Sequence, residues 1–162
     1  LAVLVETTAQ HLAAQVKAGA DCLQIFESWA EGLPPDVFRR VVIEPTKALV
    51  SRLRALDVGV PIIGFPRGAG SSIEAYAHET GVTALGVDTQ TSAAFAMKSA
   101  PKGMPLQGNL DPQTLVVGGA ALEHAARTVI DAFQDAPHIF NLGHGITTPD
   151  NLAHLVRLVK GA

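Results

Sequence analysis

Five times along this chain a helix-like stretch is followed by a short gap and a brief apolar run, and that repeat constrains the fold more than any other feature. Ala9, Leu12, Ala13 and Val16 fall at i, i+3, i+4 and i+7, so Thr8–Ala18 is expected to form an amphipathic helix. Thr7 or Thr8 can cap it, and Gly19 is placed to end it. The run Cys22–Phe26 then reads as a strand buried on both faces. Pro35–Leu56 has a helical pattern that Pro45 must break or kink near Glu44, because proline lacks an N–H and clashes with the preceding turn. The strand Val60–Phe65 follows. The remaining units are Ser72–Thr80 with Ala84–Val87, Thr91–Ser99 with Pro105–Gly108, and Ala121–Phe133 with His138–Leu142. A last helix, Pro149–Lys160, is expected to bury Leu152, Leu155, Val156 and Val159.

Short apolar strands alternating with helices imply a parallel sheet of right-handed βαβ units. An open doubly wound sheet and part of a (β/α)₈ barrel both suit that pattern. The 162 residues suffice for one domain with a real core, and no linker, charge block or low-complexity stretch divides them. With 48% apolar and 17% charged residues, the chain is globular rather than disordered. A net charge of −3 gives no reason to expect nucleic acid or an anionic membrane as partner. The longest apolar runs, such as Pro61–Phe65, are too short to cross a bilayer. The single cysteine, Cys22, cannot form an internal disulfide, which suits a cytoplasmic setting, and it excludes multi-thiolate metal sites. The chain opens on Leu1 rather than Met, with a helix-like pattern almost at once, and is expected to be part of a longer protein.

Where each apolar run ends, a polar cluster appears: Glu27-Ser28-Trp29, Pro66-Arg67-Gly68, Asp88-Thr89, Gly108-Asn109-Leu110-Asp111 and Gly143-His144-Gly145. In parallel α/β folds ligands bind at the C-terminal strand ends, so these clusters should line one mouth. His144 is the sharpest signal. It lies between two glycines just past a strand, where the backbone can bring an imidazole to a ligand, or where the ring can bond within its own loop. His11, His78, His124 and His154 lie in helical patterns and are expected to be solvated, while His138 opens a strand and reads as structural. No G-x-S-x-G elbow surrounds Ser28, so hydrogen bonding suits it better than nucleophilic attack. Arg67 can hold a carboxylate or phosphate, or remain hydrated. Asp88 can meet a cation or a loop amide, and Asp111, ahead of Pro112, reads as a helix cap. The glycines at 64, 68 and 70 match neither G-x-G-x-x-G nor a Walker loop.

Taken in order, these segments resemble uroporphyrinogen decarboxylases. The matching pieces are Gln24-Ile25-Phe26-Glu27-Ser28-Trp29-Ala30, Ile63-Gly64-Phe65-Pro66-Arg67-Gly68, Leu85-Gly86-Val87-Asp88, Gln107-Gly108-Asn109-Leu110-Asp111-Pro112 and Phe140-Asn141-Leu142-Gly143-His144-Gly145-Ile146. The resemblance implies the later units, strands four to eight, of a (β/α)₈ barrel, with residues 1–162 as one C-terminal domain part. It implies a cytoplasmic, homodimeric lyase that removes CO₂ from four acetate side chains of uroporphyrinogen III without metal or organic cofactor. By the same resemblance Ser28 and His144 are the catalytic residues, neither of them named as the proton donor, and both bind the tetrapyrrole in a cavity that Phe26 lines; Arg67, read from its own loop, is added as a further substrate-binding residue. The family's pyrrole-gripping aspartate, arginine-rich loop and cleft tyrosine have no match here, so the chain alone is expected to be inactive. The segment Ile146-Thr147-Thr148-Pro149 replaces a longer loop.

Three other readings stand beside this one. A corrinoid-linked zinc methyltransferase of the same fold expects an H-x-C element, which is absent, and Cys22 falls within the first expected strand. A non-catalytic tetrapyrrole-binding module would need no proton handling. An aldolase-like barrel expects a Schiff-base lysine on a strand, and no expected strand contains lysine.

Overall fold

The computed structural model describes residues 1–146 and 148–161. Helix α1 (Ala2–Lys17) leads to β1 (Leu23–Glu27). Next come α2 (Pro35–Phe38), a π-helical turn (Arg39–Ile43), α3 (Glu44–Ala55) and β2 (Ile62–Pro66). Helix α4 (Ile73–Glu79) precedes β3 (Ala84–Gly86), and α5 (Ala93–Ser99) precedes β4 (Leu106–Leu110). Helices α6 (Gln113–Val117) and α7 (Gly119–Ala132) lead to β5 (His138–Leu142), and α8 (Leu152–Lys160) follows it.

All five strands are parallel and pair in sequence order, β1-β2-β3-β4-β5. A doubly wound sheet reverses its strand order at a switch point. No reversal occurs here, so of the two architectures open to the sequence the structure takes the barrel-type run of (β/α) units. Among the described residues nothing pairs with the outer edges of β1 and β5. The core lies between the sheet and the helices, around Leu53, Ile62, Tyr76, Leu85, Val87 and Leu106, and a second cluster joins β4, α6, α7 and α8 through Leu110, Leu115, Leu122 and Leu155.

Several boundaries move, each for a local reason. The first helix begins at Ala2, without a side-chain cap, so neither Thr7 nor Thr8 caps it. Its added turns are held by tertiary contact: Arg52 of α3 donates to both carboxylate oxygens of Glu6 at 2.8 and 3.0 Å. Gly19, at φ +110, closes the other end as expected, with its N–H bonded to Val16 and that of Ala20 to Gln15. Pro45 does not end its helix. The ladder widens before it, the Glu44 N–H reaching back to the Arg39 carbonyl, so the helix continues past a residue with no donor. The last helix starts at Leu152, because Asn151 is left-handed at φ +61 and its amide donates to the Leu115 carbonyl at 2.7 Å. Of its apolar stripe only Leu155 is fully buried, while Leu152 and Val156 remain exposed beside edge strand β5.

Two expectations about the first strand are overturned. Cys22 precedes β1 and is exposed rather than lying inside the strand. The strand is not buried on both faces, for Phe26 is 64% exposed. It occupies a sheet edge whose inner face is uncovered. The segment 146–149 contains Thr147, which falls outside the described residues.

Candidate functional site

Parallel pairing sets the inner face of the sheet in rows, because registered neighbours point the same way. One row reads Phe26, Phe65, Gly86, Gln107 and Ile139. The next row, at or just past the C-terminal strand ends, carries Ser28, Arg67, Asp88, Asn109 and Asn141. Above this polar row His144 follows β5. A cavity of about 710 Å³ opens over both rows and is lined by Phe26, Ser28, Phe65, Arg67, Gln107, Asn141 and His144, with Gln24 at its floor. It brings together all four residues expected at the site: Phe26, Ser28, Arg67 and His144.

Three of the five strand-end clusters line the mouth, through Ser28, Arg67 and His144, while the third and fourth do not line it and instead hold its loops in place. Asp88 is buried and accepts hydrogen bonds from Gly68 N at 2.7 Å, Gln90 N at 3.0 Å, Thr91 N at 3.0 Å and Thr91 Oγ1 at 2.9 Å. Of its two open readings, the loop-amide one holds. The carboxylate fixes the turn that follows Arg67, and its own loop is tied to β4 by the Asn109 amide, which donates to the Asp88 and Thr91 carbonyls at 3.1 and 2.7 Å. Gly143 permits the close approach of this loop, since a Cβ there would stand 2.4 Å from Thr89 N. Asp111 accepts from Gln113 N, the first amide of α6, at 2.9 Å, although it stands one residue ahead of the N-cap position, which Pro112 holds.

Arg67 is half-buried and has no salt-bridge partner among the described residues, so it is the cation available to an anionic ligand in this cavity. Ser28 is exposed at the mouth. Neighbouring Glu27 accepts from the Trp29 N–H at 3.0 Å, which tightens the turn carrying the serine. His144 Nδ1 lies 3.0 Å from the Gly145 carbonyl oxygen. A carbonyl oxygen only accepts, so this bond forms with the proton on Nδ1 and leaves Nε2 of the neutral ring as an acceptor. Beneath them Phe26 and Phe65 meet edge to face, ring centroids 6.0 Å apart, and form an apolar wall.

His138 is structural, as read. Its Nε2 approaches the Gly108 carbonyl at 2.6 Å and its ring stacks on Phe133 at 4.4 Å. Burial holds its imidazole below the ordinary value, opposed in part by the Gly108 bond. His154 is not simply solvated: its Nε2 reaches Glu123 at 3.2 Å and ties α8 to α7. Among the described residues no three His, Cys, Asp or Glu side chains are grouped to hold a metal ion, and no strand contains lysine.

The sequence reading singled out neither Gln24, Gln107 nor Asn141 as site residues. A signal was present in β1: Gln24, Phe26 and Ser28 alternate, the period of a strand with one face toward a cavity.

Comparison with known proteins agrees with this geometry. The family profile described as uroporphyrinogen decarboxylase (URO-D) matches residues 1–162. A protein of Hyphomonas neptunium named uroporphyrinogen decarboxylase is 52% identical over 158 residues, covering 98% of this chain and 46% of its own length. Proteins of that name from Maricaulis maris and Rhizorhabdus wittichii are 51% and 50% identical, each over 96% of this chain and 45% of their own length. The chain thus spans about half the length of the curated relatives it matches. Matched along its whole length by that profile, and built of sequential (β/α) units, the chain belongs to the uroporphyrinogen decarboxylase family, whose fold is the (β/α)₈ barrel.

Proposed function

We propose that this chain supplies one wall and the mouth of a uroporphyrinogen decarboxylase cleft, as the later part of a longer, cytoplasmic and homodimeric enzyme. The observation that carries the reading is the single cavity joining Ser28, Arg67 and His144 above the Phe26–Phe65 pair. Uroporphyrinogen bears eight carboxylates around a macrocycle with an apolar face. Loss of CO₂ from an acetate leaves the electron pair of the broken C–C bond on the methylene carbon. If a pyrrole carbon is first protonated, the ring takes up that pair. A proton then adds to the methylene, giving a methyl group, and the ring loses its extra proton. The net change is one carboxylate and one proton in, one methyl and one CO₂ out, four times over. The ring does the work that pyridoxal or thiamine does elsewhere, so the reaction asks the protein for binding, orientation and proton delivery.

Within that scheme Phe26 and Phe65 pack on the macrocycle, and Arg67 pairs with a peripheral carboxylate. Ser28 and His144 hydrogen-bond the substrate beside the reacting acetate. Neutral His144 accepts at Nε2, whereas the imidazolium would donate there to a carboxylate. Arg67 cannot neutralise eight carboxylates by itself, so the remaining cations must come from other parts of the enzyme. Among the described residues no helix is long and apolar enough to cross a membrane.

The test is uroporphyrinogen turnover by the protein at its full natural length beside His144→Asn and Ser28→Ala. Each variant is expected to lose about 10- to 100-fold in kcat/KM, the scale of one hydrogen bond to a charged group. Parental kcat/KM in both variants would remove Ser28 and His144 from the mechanism.

A further inference from the structure

The cavity floor holds a polar pair that the scheme above leaves unused. Gln107 of β4, 6% exposed, donates from Nε2 to Gln24 Oε1 of β1 at 3.2 Å. The bond joins the first and fourth strands across the concave face. Gly86 keeps the intervening row low: Phe65 lies over it, and a Cβ there would stand 2.7 Å from the Phe65 ring. The direction of this bond decides how the Gln24 amide faces. With Oε1 committed to Gln107, its NH₂ group turns away from β4. Neither N–H of that group has a hydrogen-bond partner among the described residues. Among the described residues the one buried side-chain polar atom without a partner is the Tyr76 hydroxyl, so the Gln24 nitrogen is not buried but opens on the cavity that its residue lines.

We propose that Gln24 is a substrate-binding residue, donating from Nε2 to a carboxylate of the bound tetrapyrrole, and that Gln107 is the positioning residue that holds its amide in that orientation. This assignment rests on the decarboxylase reading. A carboxamide donates without adding charge and does not titrate, so the pair orients a side chain and moves no proton. A macrocycle seated on Phe26 and Phe65 would exclude water from this floor, which strengthens a hydrogen bond to an anion.

Turnover of uroporphyrinogen by the full-length protein tests the assignment. Gln24→Met, which keeps length and loses the amide, is expected to raise KM about tenfold while kcat changes less than about twofold. Gln107→Met should raise KM similarly, and the double variant should be no worse than Gln24→Met, because both remove one oriented donor. Gln24→Glu should raise KM further by repelling the anionic substrate, and added salt should shrink its excess over Gln24→Met. A merely structural role would not respond to salt in that way. Should Gln24→Met fail to fold, Gln24→Asn, an amide one methylene short, is expected to show the same rise in KM. Parental KM in the folded Gln24 variant, additive effects in the double variant, or a salt-independent Gln24→Glu would each overturn the proposal. If the parent protein turns over no uroporphyrinogen, the decarboxylase reading falls and takes this assignment with it; an active parent with unaltered variants sinks this assignment alone.

Discussion

Alternate residues of the same strands meet opposite surroundings. Ile25 packs against the helices while its neighbours Gln24 and Phe26 line the cavity. Leu106 is sealed in the core, and Gln107 beside it turns its amide to the other face. The convex face is apolar and closed; the concave face mixes aromatic, amide and charged groups and stays open. Burial concentrates stability on the first face and leaves the second free to carry chemistry. A substitution should therefore act on folding or on turnover according to which way its side chain points.

The largest loss of stability is expected for Leu85→Ala, on the convex side of central strand β3. Leu85 is fully buried, and truncation there typically costs about 2–5 kcal/mol. The midpoint of denaturant unfolding should fall while KM of the folded protein is unchanged; a change in KM with no change in midpoint would break the division between faces. Asp88→Asn joins the two faces and comes next. It weakens the acceptor set that holds Gly68 and Thr91, at a cost of about 1–3 kcal/mol, and also raises KM by freeing the loop that carries Arg67.

His138 sharpens the comparison through pH. Burial lowers its pKa in the folded protein, so between that lowered value and the ordinary 6.5 the unfolded chain binds the proton and the folded one does not. Its contribution is complete above the unfolded pKa and is lost as pH falls through 6.5 toward the folded value. Midpoints measured downward from neutral pH should show this loss, and His138→Gln should lessen it. The smallest effect on stability is expected for Phe26→Ala. A ring that is 64% exposed contributes less than about 1 kcal/mol by burial, yet its loss should lower kcat/KM if the concave face binds the macrocycle.

Much of this was legible in the residues themselves. Hydrophobic runs bounded by turn residues located all five strands, His138–Leu142 to the residue. Glycines and histidine at strand ends pointed to one mouth, because parallel βαβ units bring those ends together whatever the details of packing. Pro45 announced a disturbance of its helix's ladder, since a missing N–H is a local fact. Other features depend on groups far apart in the chain. The first turns of α1 carry no cap, and their partner Arg52 lies 46 residues away from Glu6. Asp88 was open to two readings until the Gly68 amide, 20 residues earlier, came within reach.

The sequence by itself determined the strand–helix repeat, the polar strand ends and the residue types gathered there, because periodicity and turn chemistry act over a few residues. Only the tertiary structure decided that the strands run in unbroken order, that Phe26 stands open to solvent, and that Gln24 meets Gln107 across 83 residues. Periodicity tells which residues share a face, but the curvature of the whole sheet determines which side chains meet across that face.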